Sequence, residues 1–214
     1  SPMFATDRDL LALEPRLFFD IAWTAQKLVE ATGGAINSAG DTLTLSGADF
    51  ESLGVGAGFV ALAALAPYEV LERLSATQLR ISRLRADTHH PVIPAAAATG
   101  LSVAISTFRP QIGIVHGQLL RALGIEPGAA ESPTESDITN PRALALAEAL
   151  GALHLVFASA AALVSFDSPL WVKARLYRER YAAERQRIAA MVDLDGDGAP
   201  DVVRRPNVIQ FLRA

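Results

Sequence analysis

The hydrophobic period of this chain changes twice, and that change restricts its fold more than any single residue. Before about residue 35 and after about residue 109 apolar side chains recur at helical spacing, whereas between them they alternate. Phe18, Ile21, Ala22, Ala25, Leu28 and Val29 share one face of a helix written RLFFDIAWTAQKLVEAT, opened by Pro15 and stopped at Gly33-Gly34. Thr6 caps a short turn, DRDLLALE, ahead of it. Thr42 to Leu45, Leu79 to Ser82 and Leu101 to Ile105 then alternate, with turn signals at Gly40-Asp41, Ser46-Gly47, Ala66-Pro67, Asp87 and between Pro91 and Gly100. This texture predicts an antiparallel sheet or barrel of about five strands. Its weakest strand is Phe59 to Leu65, because alanine is a poor strand former.

Helical spacing resumes at Pro110. RPQIGIVHGQLLRALG closes at Gly124, and the acidic, Pro-containing stretch EPGAAESPTESDIT follows as a long connection. Asn140-Pro141 and Asp167-Ser168-Pro169 both carry the signature of a helix start, a capping side chain followed by proline. The first of these opens a helix to about Val164 with apolar groups on nearly every face (Leu144, Leu146, Leu150, Leu153, Leu155, Phe157), a helix to be buried by others or by a neighbouring subunit. The second opens a helix to Ala190 whose stripe Leu170, Ala174, Tyr177, Tyr181, Ile188, Met191 covers one side. The expected fold class is therefore α+β: a helical bundle of residues 1–34 and 109–191, an inserted β module at 35–108, and an Asp-rich loop with an extended C-terminal tail at 192–214.

Composition narrows the function. Half of the 214 residues are hydrophobic, enough for a packed core. The net charge of −4 argues against a dedicated nucleic-acid binder. Charge is nonetheless segregated. Lys173, Arg175, Arg178, Arg180, Arg185 and Arg187 face only Glu179 and Glu184 on the last helix, while Glu126, Glu131, Glu135 and Asp137 lie in a connection without a base. Such segregation suits docking between copies, although a solvated helix face is the commoner explanation. Cysteine is absent, which removes disulfides and thiol chemistry. SPMFATDRDL lacks the basic-then-apolar run of a secretory leader. Residues 143–166 are long enough to suggest a membrane span, but Glu148, His154 and the many alanines point to a buried helix and no membrane.

One constellation could carry chemistry. Asp193, Asp195, Asp197, Gly198 and Asp201 form D-x-D-x-D-G-x-x-D, in which alternate carboxylates converge on one centre. The carbonyl of Ala199 and the carboxylate of Asp201 would complete an oxygen set suited to a structural Ca²⁺. The bidentate acid of an EF-hand is missing, since Arg204 holds its place, and a polar turn without metal explains the same residues. A phosphatase reading of VDLDGDG would need the motif at the end of a buried parallel strand followed by further motifs, whereas the sequence leads one to expect a helix before it. His89-His90 has no third ligand at useful spacing, and His116 and His154 read as satisfied histidines of apolar helices. No nucleophile elbow, phosphate loop or dinucleotide fingerprint occurs.

The opening TDRDLLALEPRLF, the helix PRALALAEALGALHLVFASAA, and LWVKARLYRERYAAERQRIAA with its DLDGDG loop resemble the head–tail adaptor (connector) proteins of long-tailed bacteriophages. The resemblance covers the helical parts, about 130 residues by extent of the matching segments. It implies a non-enzymatic virion protein of the neck, assembled in the host cytoplasm. Such a protein is a subunit of a ring, dodecameric by the resemblance, that joins the portal to stopper or tail proteins and lets DNA pass without sequence-specific binding. In that setting Trp171, Tyr177 and Arg178 would pack against a neighbouring subunit or the portal, and Phe211 and Leu212 would anchor the tail. Two other readings stay open: a neck stopper or tail-completion protein, and a calcium-dependent binding module unrelated to phages.

Overall fold

A computed structural model describes residues 3–125 and 133–206, and Phe211 and Leu212 fall outside the described residues. The protein is mixed α and β and divides into two compact units, Thr6–Arg109 and Ser1–Ala5 with Pro110–Ala214.

The first unit is built on a closed antiparallel barrel. Two short helices, α1 (Asp7–Leu13) and α2 (Leu17–Asp20), precede six strands: β1 (Gln26–Ile36), β2 (Thr42–Thr44), β3 (Val60–Ala63), β4 (Ala66–Ser75), β5 (Gln78–Ser82) and β6 (Ala98–Thr107). They run around the barrel in the order β1-β2-β5-β4-β3-β6, with β6 pairing to β1 to close it. Closure leaves no free sheet edge. Val29, Ile36, Leu43, Phe50, Ala61, Leu79, Ile81, Val103 and Ile105 fill the interior and its caps.

Here the sequence-based expectation needs correction. Residues 15–32 do not form one helix of a bundle. The chain is helical only over α2 and a single 3₁₀ turn at Ala22–Thr24, then becomes the longest strand of the barrel. The assignment of residues 1–34 to the helical part fails with it, since all but the first five belong to the barrel unit. The reason lies in pairing. β1 runs beside β6 from Gln26↔Thr107 to Ile36↔Ala98 with three register shifts, and those bulges scramble the alternation that would have betrayed a strand. Gly33-Gly34 is no helix stop: a Cβ at Gly34 would overlap the Val103 side chain, so glycine lets β1 and β6 approach. Residues 60–63, the alanine-rich strand, are paired on both sides.

A buried ion network ties α1 to the barrel. Glu69 on β4, 1% exposed, accepts from Arg8 Nε at 2.6 Å and from Arg85 Nε at 2.6 Å. Arg8 also donates to the Arg85 carbonyl. At the N-terminus of α1, the Asp9 carboxylate accepts from both the backbone N–H and the hydroxyl of Thr6.

The second unit holds α3 (Arg109–Ala122), α4 (Arg142–Ala161), α5 (Pro169–Arg185) and a hairpin of β7 (Ala190–Val192) with β8 (Val202–Arg204). α4 is long and apolar enough to cross a membrane, yet most of it is buried within its own unit, Glu148 completely. Gly151 marks where its neighbours come closest. A Cβ there would overlap Val115 of α3 and press on the Tyr181 ring of α5 at 3.1 Å. Phe157 of α4 and Tyr177 of α5 stack with centroids 5.4 Å apart.

The last helix is shorter than expected. It stops at Arg185, and Met191, expected on its apolar stripe, is an exposed residue of β7. Residues 202–204 are correspondingly not an extended tail but β8, paired residue for residue with β7.

Candidate functional site

The Asp-rich segment is the loop of the β7–β8 hairpin, whose ladder brings residue 192 opposite residue 202. Asx turns shape what lies between. Asp193 accepts from the N–H of Gly196 and of Gly198, each at 2.7 Å, Asp195 from that of Asp197 at 3.1 Å, and Asp197 from that of Ala199 at 2.7 Å. The backbone N–H groups of Gly198 and Gly196 hold the Asp193 carboxyl below the usual carboxylate range. Gly196 and Gly198 take φ of 80° and 87°, a left-handed conformation that suits glycine.

Among the described residues, Asp193, Asp195 and Asp197 could hold a metal ion, since one oxygen from each lies within 4.8 Å of the others. The donor set is all oxygen and carries three negative charges, which fits a hard cation such as Ca²⁺. Asp201, expected as a further ligand, closes the loop by accepting the Leu194 N–H at 2.7 Å through one oxygen. Ala199 is exposed in the same loop. Arg204, at the place of the EF-hand acid, donates to the carbonyls of Leu123 and Gly124 and so pins β8 to the end of α3.

The partner-contact residues separate. Tyr177 is 3% exposed and stacked inside the unit on Phe157, so its ring is a core element and not a docking group. Trp171 is half-buried and stacks on Phe166 at 5.0 Å. Its Nε1–H is buried and has no hydrogen-bond partner among the described residues. Arg178 is exposed beside a cavity of about 440 Å³ that Trp171, Phe166, His154 and Arg175 also line. His154 Nδ1 lies 3.1 Å from the Ala174 carbonyl, the satisfied arrangement expected of it.

Sequence reasoning missed two features of this unit. The stretch from the end of α4 into α5 concentrates exposed apolar side chains: Leu163, Val164, Phe166, Val172 and Leu176, with Phe166 84% exposed. The signal was present, since Val172 and Leu176 are four residues apart and opposite the inward stripe. The second is a buried acid–imidazole–acid line. His116 Nδ1 lies 2.7 Å from Glu148 Oε1, and its Nε2 3.2 Å from Glu135 Oε2. Glu148 also accepts the Ala5 N–H. Burial pushes the His116 imidazole down, but Glu148 and then Glu135 outweigh it, and its pKa is raised.

Comparison with family models, with curated proteins and with solved structures finds no match at a significant level.

Proposed function

We propose that this protein is a structural, non-enzymatic assembly subunit of the head–tail adaptor kind, one copy of a ring that joins a phage portal to its tail and leaves a lumen for DNA. The observation that carries this reading is the uncovered apolar surface running from Leu163 to Leu176, edged by Arg175, Arg178 and Arg180. Contiguous exposed apolar side chains rimmed by charge are the mark of a protein–protein contact. In this reading α3, α4 and α5 supply the bundle of the ring, and the barrel faces the next neck component. A cation held by Asp193, Asp195 and Asp197 would stiffen the hairpin loop without taking part in a reaction.

The test is electron microscopy of particles made by a source strain with this gene disrupted. Filled or leaking heads without tails support the adaptor. Normal tailed particles overturn it.

The closed barrel, which occupies almost half the chain, favours one second reading, a stopper or tail-completion protein. Capture on immobilised portal separates the two, because an adaptor binds portal directly and a stopper requires the adaptor to be present. A calcium-dependent binding module of another kind would instead remain monomeric and bind its ligand only with the Asp loop loaded.

A further inference from the structure

Two surfaces of the second unit are left uncovered by the described residues, and they match. The first is the outer face of α5. Val172 and Leu176 lie one turn apart on it, 60% and 39% exposed, with Arg175 and Arg180 flanking them. Glu179, the acid on this face, makes an i,i+4 pair with Arg175 at 4.0 Å, a contact that its exposure leaves weak. Arg178 has no ion-pair partner among the described residues. The face is therefore an apolar ridge inside a positive rim.

The second surface is the outer side of the β7–β8 hairpin. Ala190 and Val192 turn inward and are buried, so the residue between them, Met191, must point outward. It pairs directly across the ladder with Val203, and both are exposed. Beyond the ladder Leu194 is also exposed, at 54%, and Asp195 and Asp197 of the loop stand in solvent. A two-stranded hairpin with apolar side chains on both faces is half covered by its own chain and half left open. The open half is an apolar strip that ends in negative charge.

We propose that the hairpin of one copy docks on the α5 face of the next. Met191, Val203 and Leu194 lie against Val172 and Leu176, and Asp195 and Asp197 pair with Arg175 and Arg180. The contact is heterologous, since each copy offers both halves, and repetition of such a contact generates a ring or an open helix. This inference rests on the ring reading above and adds which surfaces meet. It also assigns the Asp loop a second use: its carboxylates act as the acidic rim of an interface.

Charge reversal tests it, with chelator present throughout so that no cation masks the aspartates. One variant carries Arg175→Glu and Arg180→Glu, the other Asp195→Lys and Asp197→Lys. Each alone sets like charges against each other at the contact and should weaken self-association in sedimentation velocity by about tenfold or more. An equimolar mixture restores opposite charge at every contact and should assemble within about threefold of the natural chain. Full assembly of both variants alone overturns the surfaces and leaves the ring reading standing. Because the chain has no cysteine, weak contact is read by a second measurement, a short bismaleimide joining Leu176→Cys chains to Leu194→Cys chains. A natural chain that stays monomeric, with no mixed cross-link above that of either variant alone, also overturns the docking. The ring itself is then decided by the particle experiment.

Discussion

The Thr107 hydroxyl donates to Asp7 Oδ2 at 2.6 Å, and the next residue along, Phe108, donates its N–H to Oδ1 at 2.8 Å. The end of β6 is thereby clamped to the first residue of α1, a hundred positions away. The clamp is buried, and burial pushes the Asp7 carboxyl up to about 6 despite those two hydrogen bonds.

Asp7 makes stability depend on pH in a defined direction. A carboxyl whose folded pKa exceeds its unfolded one binds more protons when folded, so its contribution is complete below about pH 4 and is lost as pH rises through about 6. The loss is on the order of 3 kcal/mol at neutral pH. Asp7→Asn keeps an acceptor for Phe108 and offers a donor to Thr107. Urea midpoints measured from pH 4 to 7 should lose this slope in the variant, and an unchanged slope would remove Asp7 from the account.

His116 should act at higher pH in the same direction. Its raised pKa means that the stability it lends is fully present below about 6.5, the unfolded imidazole value, and declines as pH rises through the higher folded one. Glu148→Ala leaves the imidazolium and the Ala5 N–H without their buried partner and should cost about 3–5 kcal/mol. Glu148→Gln should cost less, and equal losses in denaturant titration would show that charge at this position is immaterial.

Glu69 is the hinge of the other buried network. Replacing it by alanine removes the buried anion that Arg8 and Arg85, at 11% and 10% exposure, share, and leaves Arg8 only its longer contact with Asp9 at 3.4 Å. A loss of about 3–5 kcal/mol follows for the barrel unit. Thermal unfolding of Glu69→Ala within about 1 °C of the parent would contradict it.

The β3–β4 turn is open to improvement. Its two central residues, Ala64 and Leu65, have φ of 48° and 65°, left-handed values for residues that carry a Cβ, and Leu65 is 83% exposed. The pair of positive φ values is that of a type I′ turn, for which Asn-Gly is the preferred sequence. Ala64→Asn with Leu65→Gly should stabilise the barrel by about 1–2 kcal/mol. A lower unfolding midpoint would mean that Leu65 makes a contact worth more than the strain.

The Asp loop offers a direct metal assay. If Asp193, Asp195 and Asp197 hold Ca²⁺, calorimetric titration should show one site per chain, weakened about tenfold or more by Asp195→Asn. Protease cleavage between residues 194 and 199 should slow when Ca²⁺ is added. Residues 190–192 and 202–204 should stay protected with chelator, because ladder hydrogen bonds hold them. Identical cleavage with and without the ion would leave a polar turn.

Much of this protein follows from sequence alone. The alternation in 42–45, 79–82 and 101–105 located strands, and Pro141 and Ser168-Pro169 located the starts of α4 and α5, because such signals act within one turn or one hairpin. The Asn140 side chain, expected as a cap, bonds the Ala189 carbonyl and the Met191 N–H instead. The spacing of Asp193, Asp195 and Asp197 likewise implied convergence, since a tight loop must gather alternate side chains. What tertiary structure decided was every choice that depends on a distant partner. QKLVEATGGAI is helix or strand by local preference, and pairing with β6 made it β1. AMV could extend α5, and pairing with VVR made it β7. Spacing put Tyr177 and Val172 on opposite sides of one helix, and packing against Phe157 fixed the Tyr177 ring in the core. Local propensity differs between such alternatives by tenths of a kcal/mol per residue, whereas a closed barrel or a buried face adds several, so the non-local term prevails.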